Sequence, residues 1–466
     1  MLDVTCSEDG IRFGAGSRYD AMMIRTWNAF QILVGSCVVT AMSLGISLLG
    51  TGSLLAQVSN ESGVGKVSNA DLIRSSGRHT ELVTDSHTQR QADEFVAAFD
   101  AAVPQWERFW MLSPGTLDSW KVDAYVMRER EDFRRRDLIP ERVPDFRFGY
   151  AMGKTVWVVS QPSQYYTRHL LLHEGAHALA GQQFGGAGPA WYMEGTAEML
   201  STHQGTGREV MINHIPKSRD EVPYWGRFKA IRLRRETQTI PSIGGVMGLP
   251  LDLDGDVESY AWSWAATMLL YAYPEYRDAF QAAARNGHQA GNEFNEVIRR
   301  RLASQWPVLA ARWRLMCRDL NYGFDWQRER VALSTRDPLW QGQSLDMVVS
   351  ANRGWQSVGV RFPPGTRIRI AATGRCTLAQ TTAPWVSEPD GITIQYNDGI
   401  PLGKLIACVV GNAPGTSETE PVLSAIAIGE GKEITFDEHA WLLLRVNDGV
   451  DAMSDNTGGY RVEIEK

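Results

Sequence analysis

The sequence predicts a multidomain protein, with an α+β domain over residues 76–337 and an all-β sandwich over residues 340–466. Three observations carry that prediction. The chain has 466 residues, and a single hydrophobic core stops growing beyond roughly 250–300. Up to about Asp337, runs with apolar residues at helical spacing are interspersed with short alternating runs. Beyond Asp337 helical spacing vanishes, and Gly- and Pro-bounded alternating runs such as Ser357–Phe362, Arg367–Ile370, Ala440–Val446 and Tyr460–Ile464 take over.

Composition narrows the function classes. Apolar residues make up 43% and charged residues 22%, which excludes wholesale disorder. The 44 glycines and 20 prolines follow no Gly-X-Y period, so the chain is not collagen-like. A formal charge of −7 argues against nucleic acid as a partner, since a binder needs a basic stripe to displace counterions. Five cysteines in so long a chain exclude a disulfide scaffold.

The elements follow in order. Thr26–Asn60 holds no charged residue, and Arg25 precedes a mostly apolar run from Ala29 to Ala56. A basic flank, an apolar run and small residues are the order of an export signal. The run is also long enough to span a bilayer, which needs about 20 residues. Residues 1–56 are therefore expected to be an export signal or membrane anchor. The protein is expected to be secreted, periplasmic or held to the membrane by this segment alone. The acidic balance of residues 1–21 fits a misassigned start before Met22. Residues 57–75 are polar and read as a linker.

Strands are expected at Thr80–Thr84, Val122–Met127 and Thr155–Val159. Gln89–Trp110 has helical spacing, with Pro104 expected to kink or split it. Arg128–Asp137 reads as a charged, solvated stretch. A helix is expected from about Ser163 to Phe184, stopped by Gly185-Gly186. Further helices fit Ala190–His203, Glu258–Tyr273, Tyr276–Asn286 and Asn292–Leu320, the last interrupted near Pro307.

The segment His173-Glu174-Gly175-Ala176-His177 contains H-E-x-x-H. Positions four apart share a helix face, so both imidazoles can meet one ion, and two neutral imidazoles suit Zn²⁺. Glu174, beside the first ligand, suits a general base. The apolar flanks Leu170–Leu172 and Ala178-Leu179 imply a buried helix, where His and Glu without a shared task would be costly. A third ligand is needed; Glu194, Glu198 and His203 are candidates. Glu194 and Glu198 lie four apart, so one can bind metal while the other accepts the outer N–H of a ligand histidine. His169 reads as a neighbour of the site.

H-E-x-x-H followed by Trp191-x-x-Glu194-Gly195-x-Ala197 resembles the gluzincin metallopeptidases, in particular the peptidase-MA-like bacterial group. The resemblance covers roughly residues 76–320 and implies a zincin-like fold. It implies His173, His177 and Glu194 as zinc ligands, Glu174 as base, and Glu198 as support for a ligand histidine. It further implies that the strand Thr155–Val159 holds extended substrate. Tyr260, at the start of a helix as gluzincin tyrosines commonly are, becomes the candidate donor to an oxyanion.

In the sandwich, Asn447-Asp448, Asp451 and Asp455-Asn456 crowd one loop with oxygen donors that suit a hard cation such as Ca²⁺. This loop, with Pro401–Ile406, resembles the PA-IL-like galactophilic lectins, which are calcium-binding and jelly-roll-like. That resemblance implies Asp448, Asp455 and Asn456 as calcium ligands, completed by the Ala452 carbonyl and one near Leu378. Ile400 and Gly403 stand where the sugar-binding lectins carry His and Gln. Calcium is thus expected with galactose recognition lost or altered, and another glycan or a stabilising role is left open. Whether Cys376 and Cys408 pair is open as well.

The expected activity is that of an exported zinc metallohydrolase acting on a peptide or protein. The alternative is a calcium-dependent glycan-binding surface protein with an inert zincin-like scaffold. Zinc hydrolysis of a non-peptide amide or ester is a third reading.

Overall fold

A computed structural model describes Asn69 and residues 71–466, apart from Leu251, Asp254, Thr381 and residues 412–414. The expected export segment, residues 1–56, lies outside the described residues. Among those described, no helix is long and apolar enough to cross a membrane.

The first half is α+β. Its strands are β1 (Ile73–Ser76), β2 (Thr80–Thr84), β3 (Val122–Met127), β4 (Gly149–Met152), β5 (Thr155–Val159), β6 (His203–Gln204), β7 (Met211–Ile212) and β8 (Thr239–Pro241). Its helices are α1 (Gln89–Phe109), α2 (Arg130–Arg135), α3 (Gln164–Phe184), α4 (Ala190–Ser201), α5 (Arg227–Glu236), α6 (Ile243–Met247), α7 (Val257–Ala272), α8 (Pro274–Ala283), α9 (Asn292–Leu302), α10 (Trp306–Asp319) and α11 (Trp326–Glu329). The main sheet has the order β1-β2-β3-β5-β4, parallel through β2, β3 and β5 and antiparallel at both edges. Leu82, Ala124 and Val156 are in register, and their face packs on α1 and α3. Val83, Met127 and Trp157 join Phe133 in a smaller core.

Several expectations are corrected. Thr155–Val159 is paired on both sides, by β3 and β4, so it has no edge to offer a substrate; among the described residues the edge on this side of the sheet is that of β4. Pro104 does not split α1, which is one helix through Phe109. The expected linker to residue 75 already contains the start of β1, which pairs with β2. The charged stretch near Arg128 forms α2, docked by the buried Phe133.

After α11 come the strands β9 (Leu345–Ser350), β10 (Gln356–Phe362), β11 (Arg367–Thr373), β12 (Cys376–Thr377), β13 (Val386–Ser387), β14 (Ile392–Asn397), β15 (Ile400–Leu402), β16 (Leu405–Gly411), β17 (Thr419–Pro421), β18 (Ile426–Ala427), β19 (Gly431–Thr435), β20 (Ala440–Val446) and β21 (Thr457–Glu465). They build a β10-β20-β16-β18 sheet and a second sheet centred on β21 and β11, and the two share one core. β11 and β21 alternate buried and exposed residues because one face meets solvent, whereas β20 is buried at every position. The reason lies on its other face: Trp441 and Leu443 of β20, with Ile406, Cys408 and Val410 of β16, pack on Val308, Ala311 and Leu315 of α10. Cys408 therefore faces α10 while Cys376 faces the sandwich core, and both are free.

The two halves are further tied together. β17, from the sandwich, pairs antiparallel with β8 of the first half. Arg445 is buried between Asp319 at 3.0 Å and Glu329 at 3.4 Å. Arg318 meets Asp398, at the β14–β15 turn, at 3.2 Å.

Candidate metal centre

Helix α3 begins where Ser163 accepts a hydrogen bond from Tyr166 N and ends at Gly185 in the left-handed region. It is buried on nearly all sides, so its polar residues are held in place by packing. The chain turns and returns as α4, which lies against α3 and α7. Gly195 makes the α4–α7 approach feasible: a Cβ there would lie 2.4 Å from the Ser263 carbonyl oxygen. This is the glycine that follows Glu194 in the motif.

The two helices bring three atoms together. His173 Nε2 lies 3.1 Å from Glu194 Oε2 and 3.0 Å from His177 Nε2. His177 Nε2 lies 3.4 Å from the same Glu194 oxygen. Nitrogen and oxygen ligands at about 2.0–2.1 Å from a tetrahedral zinc are separated from one another by about 3.3 Å. The triangle has the dimensions of one face of such a tetrahedron, and its donor set fits zinc. Burial alone would raise the Glu194 carboxyl, but His177 and His173 outweigh it and hold the group down at about 2.

A second triad, His169, His173 and Glu198, has metal-holding spacing as well. Its carboxylate is already committed. Arg227 clamps Glu198 through Nη2 at 2.7 Å and Nε at 3.0 Å, and Trp225 Nε1 donates to it at 3.3 Å. Glu198 also lies 3.4 Å from His173 Nδ1 and 3.4 Å from His169 Nε2. The His173 Nδ1 atom is buried without another partner, so Glu198 is placed to orient that ring from behind. Burial raises the Glu198 carboxyl, but Arg227 and His169 more than reverse this and keep it ionised. His169 is wholly buried, which lowers its basicity.

His173 and Glu174 open onto a cleft of about 1050 Å³, bordered also by Gly149, Arg227 and Tyr260. Glu174 rests against β4: a Cβ on Gly149 would lie 2.4 Å from Glu174 Oε1. Burial raises the Glu174 carboxyl to about 8, with His177 pulling it down and Glu194 pushing it up. The Tyr260 ring centroid lies 6.3 Å from that of His173, and the Arg227 guanidinium sits 5.3 Å above the Tyr260 ring. Burial and the three nearby carboxylates raise the Tyr260 hydroxyl, which keeps it a proton donor.

His173, His177, Glu194, Glu174, Glu198 and Tyr260 are thus gathered at one place. Arg227, Trp225 and Gly149 belong to it too and have no local sequence signal. Gly149 sits in a four-residue edge strand, and Arg227 meets Glu198 across 29 positions of chain.

In the sandwich, Asp448 and Asn456 are brought together. Asp448 Oδ2 accepts from Asn456 Nδ2 at 2.8 Å, and the Asn456 Oδ1 atom is buried without a partner. Asp455 points elsewhere, accepting from Gln380 N at 3.0 Å. Burial raises the Asp448 carboxyl.

No family model matches the chain, and no curated protein matches it. Solved structures do match, among them the EclA N-terminal domain, described as a PllA-like lectin. It covers 26% of this chain and 94% of its own, at 20% identity and a TM-score of 0.21, a likeness too slight to carry an argument.

Proposed function

We propose that the protein is a zinc-dependent hydrolase, and that its substrate is a peptide or protein. One observation carries the reading: His173, His177 and Glu194 form a zinc-sized triangle, and its His173 borders a cleft of about 1050 Å³ together with Glu174 and Tyr260. A zinc ion held there would supply Lewis acidity to the scissile carbonyl. Glu174, whose ionised form a bound cation beside it would favour, takes a proton from the attacking water and passes it to the leaving amine. Tyr260 donates to the oxygen on which charge develops. Glu198, itself fixed by Arg227 and Trp225, holds the His173 ring at its angle. The edge of β4 offers backbone groups to an extended chain, the pairing mode that favours a peptide over a small ester.

The test is metal content together with peptide-library cleavage. Wild type and Glu174→Gln should both carry about one zinc per chain, and only wild type should cleave. Protein without zinc, or His173→Ala with wild-type zinc and cleavage, would sink the reading.

Calcium-dependent glycan binding is the alternative. The orphaned Asn456 Oδ1 beside Asp448 favours a hard cation. Within the loop Asp448 and Asn456 are buried, whereas Asp451 and Asp455 are exposed. Asp451 packs against Gly323, and Asp398 pairs with Arg318. A calcium ion in this loop would brace the two halves through these contacts.

A further inference from the structure

Resting on the hydrolase reading, we propose that the rim of this cleft selects peptides by a large apolar side chain with an acidic residue beside it. The rim is built from the segment Tyr224–Gly226, helix α5 and the first turn of α7.

Tyr224 carries the argument. It is 65% exposed, and its φ is +72°. An aromatic residue in the left-handed region costs of order 1–3 kcal/mol and persists only where its surroundings impose it. Here they do. The next residue, Trp225, and Arg227 two further on are both fastened to Glu198, the carboxylate that also faces His173. The strained residue is therefore held in register with the metal centre, and its ring is delivered to the cleft instead of to a core.

The surroundings of the ring agree. Leu233 on α5 and Val257 on α7 are each 47% exposed and border the same cleft. Three of the large apolar side chains that the described residues leave exposed thus meet at this one opening. Lys229 stands one turn before Leu233 on α5, and Arg147 lies in the segment leading into β4; both line the cleft. Among the described residues neither is in an ion pair. An extended peptide along the β4 edge would seat an apolar side chain on Tyr224, Leu233 and Val257. A neighbouring Asp or Glu would meet Arg147 and Lys229.

The experiment uses the zinc-loaded full chain on a randomised peptide library, with the cut sites sequenced. A large apolar residue at one fixed distance from the cut, with an acid beside it, is expected. Tyr224→Gly removes the ring and relieves the backbone, so its thermal midpoint should equal or exceed that of wild type. Its preference for an apolar-anchored peptide over the matched serine peptide should fall about tenfold, mainly through KM. A library flat at every position, or an unchanged preference in Tyr224→Gly, overturns the rim proposal and leaves the hydrolase reading standing. If zinc-loaded wild type cleaves nothing, the hydrolase reading fails. The rim is then judged by equilibrium binding of the two peptides to Glu174→Gln, where equal affinities overturn it.

Discussion

Gly149→Ala tests the catalytic geometry with a single methyl group. The added Cβ would lie 2.4 Å from Glu174 Oε1 and 2.8 Å from its Cγ. A carbon–oxygen contact settles at about 3.3 Å, so the carboxylate must move by about 1 Å. Glu174 is the end of a flexible side chain, and it borders a cleft, so the move costs little folding energy, within about 1 kcal/mol. Its effect on reaction should be larger. A misplacement of about 1 Å lowers rate about a hundredfold, equivalent to about 2.7 kcal/mol of barrier. The zinc triangle is not touched, so metal content should stay at wild-type level. The assay is kcat/KM on one cleaved peptide, read beside zinc content and thermal midpoint. A variant with wild-type kcat/KM would refute the assignment of Glu174 as base in contact with β4. A variant that loses its zinc would refute the claim that the β4 contact acts on Glu174 alone.

Three further expectations follow from other contacts. Arg227→Ala leaves the Glu198 carboxylate buried without its cation and should cost about 3–5 kcal/mol in urea denaturation; a loss under 1 kcal/mol would show that Glu198 finds other partners. Burial, and then the Arg168 cation, lower His203 to about 3, against about 6.5 in an unfolded chain. Unfolded protein therefore binds the extra proton between these values, so the stability His203 contributes is full above pH 6.5 and is lost as pH falls toward 3. His203→Gln should flatten the decline of the urea midpoint between pH 7 and 4, and an identical slope would contradict the assignment. Calcium at 100 times its dissociation constant should stabilise the protein by about 2.7 kcal/mol with zinc unchanged. Asp448→Asn should abolish that shift, and no calcium response in wild type would remove the cation from the sandwich loop.

Much of the first half is legible in the chain because its signals are local. Ser163 and Gly185 bracket α3, and the strands expected at Thr80–Thr84, Val122–Met127 and Thr155–Val159 are found without adjustment. The elements that escape are those whose stability comes from elsewhere. β4 is short and only partly buried, so it has no period to read. α5 carries four arginines and a lysine, and its burial of Arg227 depends on a carboxylate in a different helix. The site shows the same division. Two candidate ligands and the candidate base sit in five consecutive residues, and Glu194 follows on a recognisable helix. The groups that support them, Arg227, Trp225 and Gly149, arrive through tertiary packing. The sandwich loop is the harder case: Asp448 and Asn456 meet, but Asp455 accepts from Gln380 N, a contact across 75 positions of chain that no local rule anticipates.

The pairing of β8 with β17 bears on how the molecule can be cut. Thr239–Pro241 borrows its hydrogen-bonding partner from residues 419–421, and α10 borrows the cover for Val308, Ala311 and Leu315 from β16 and β20. A fragment ending at Asp337 would keep every catalytic candidate yet expose an open strand edge next to an apolar helix face. That is a template for self-association. Truncation would be read as insolubility rather than as lost chemistry, and the sandwich is the stopper that the first half carries on its own chain.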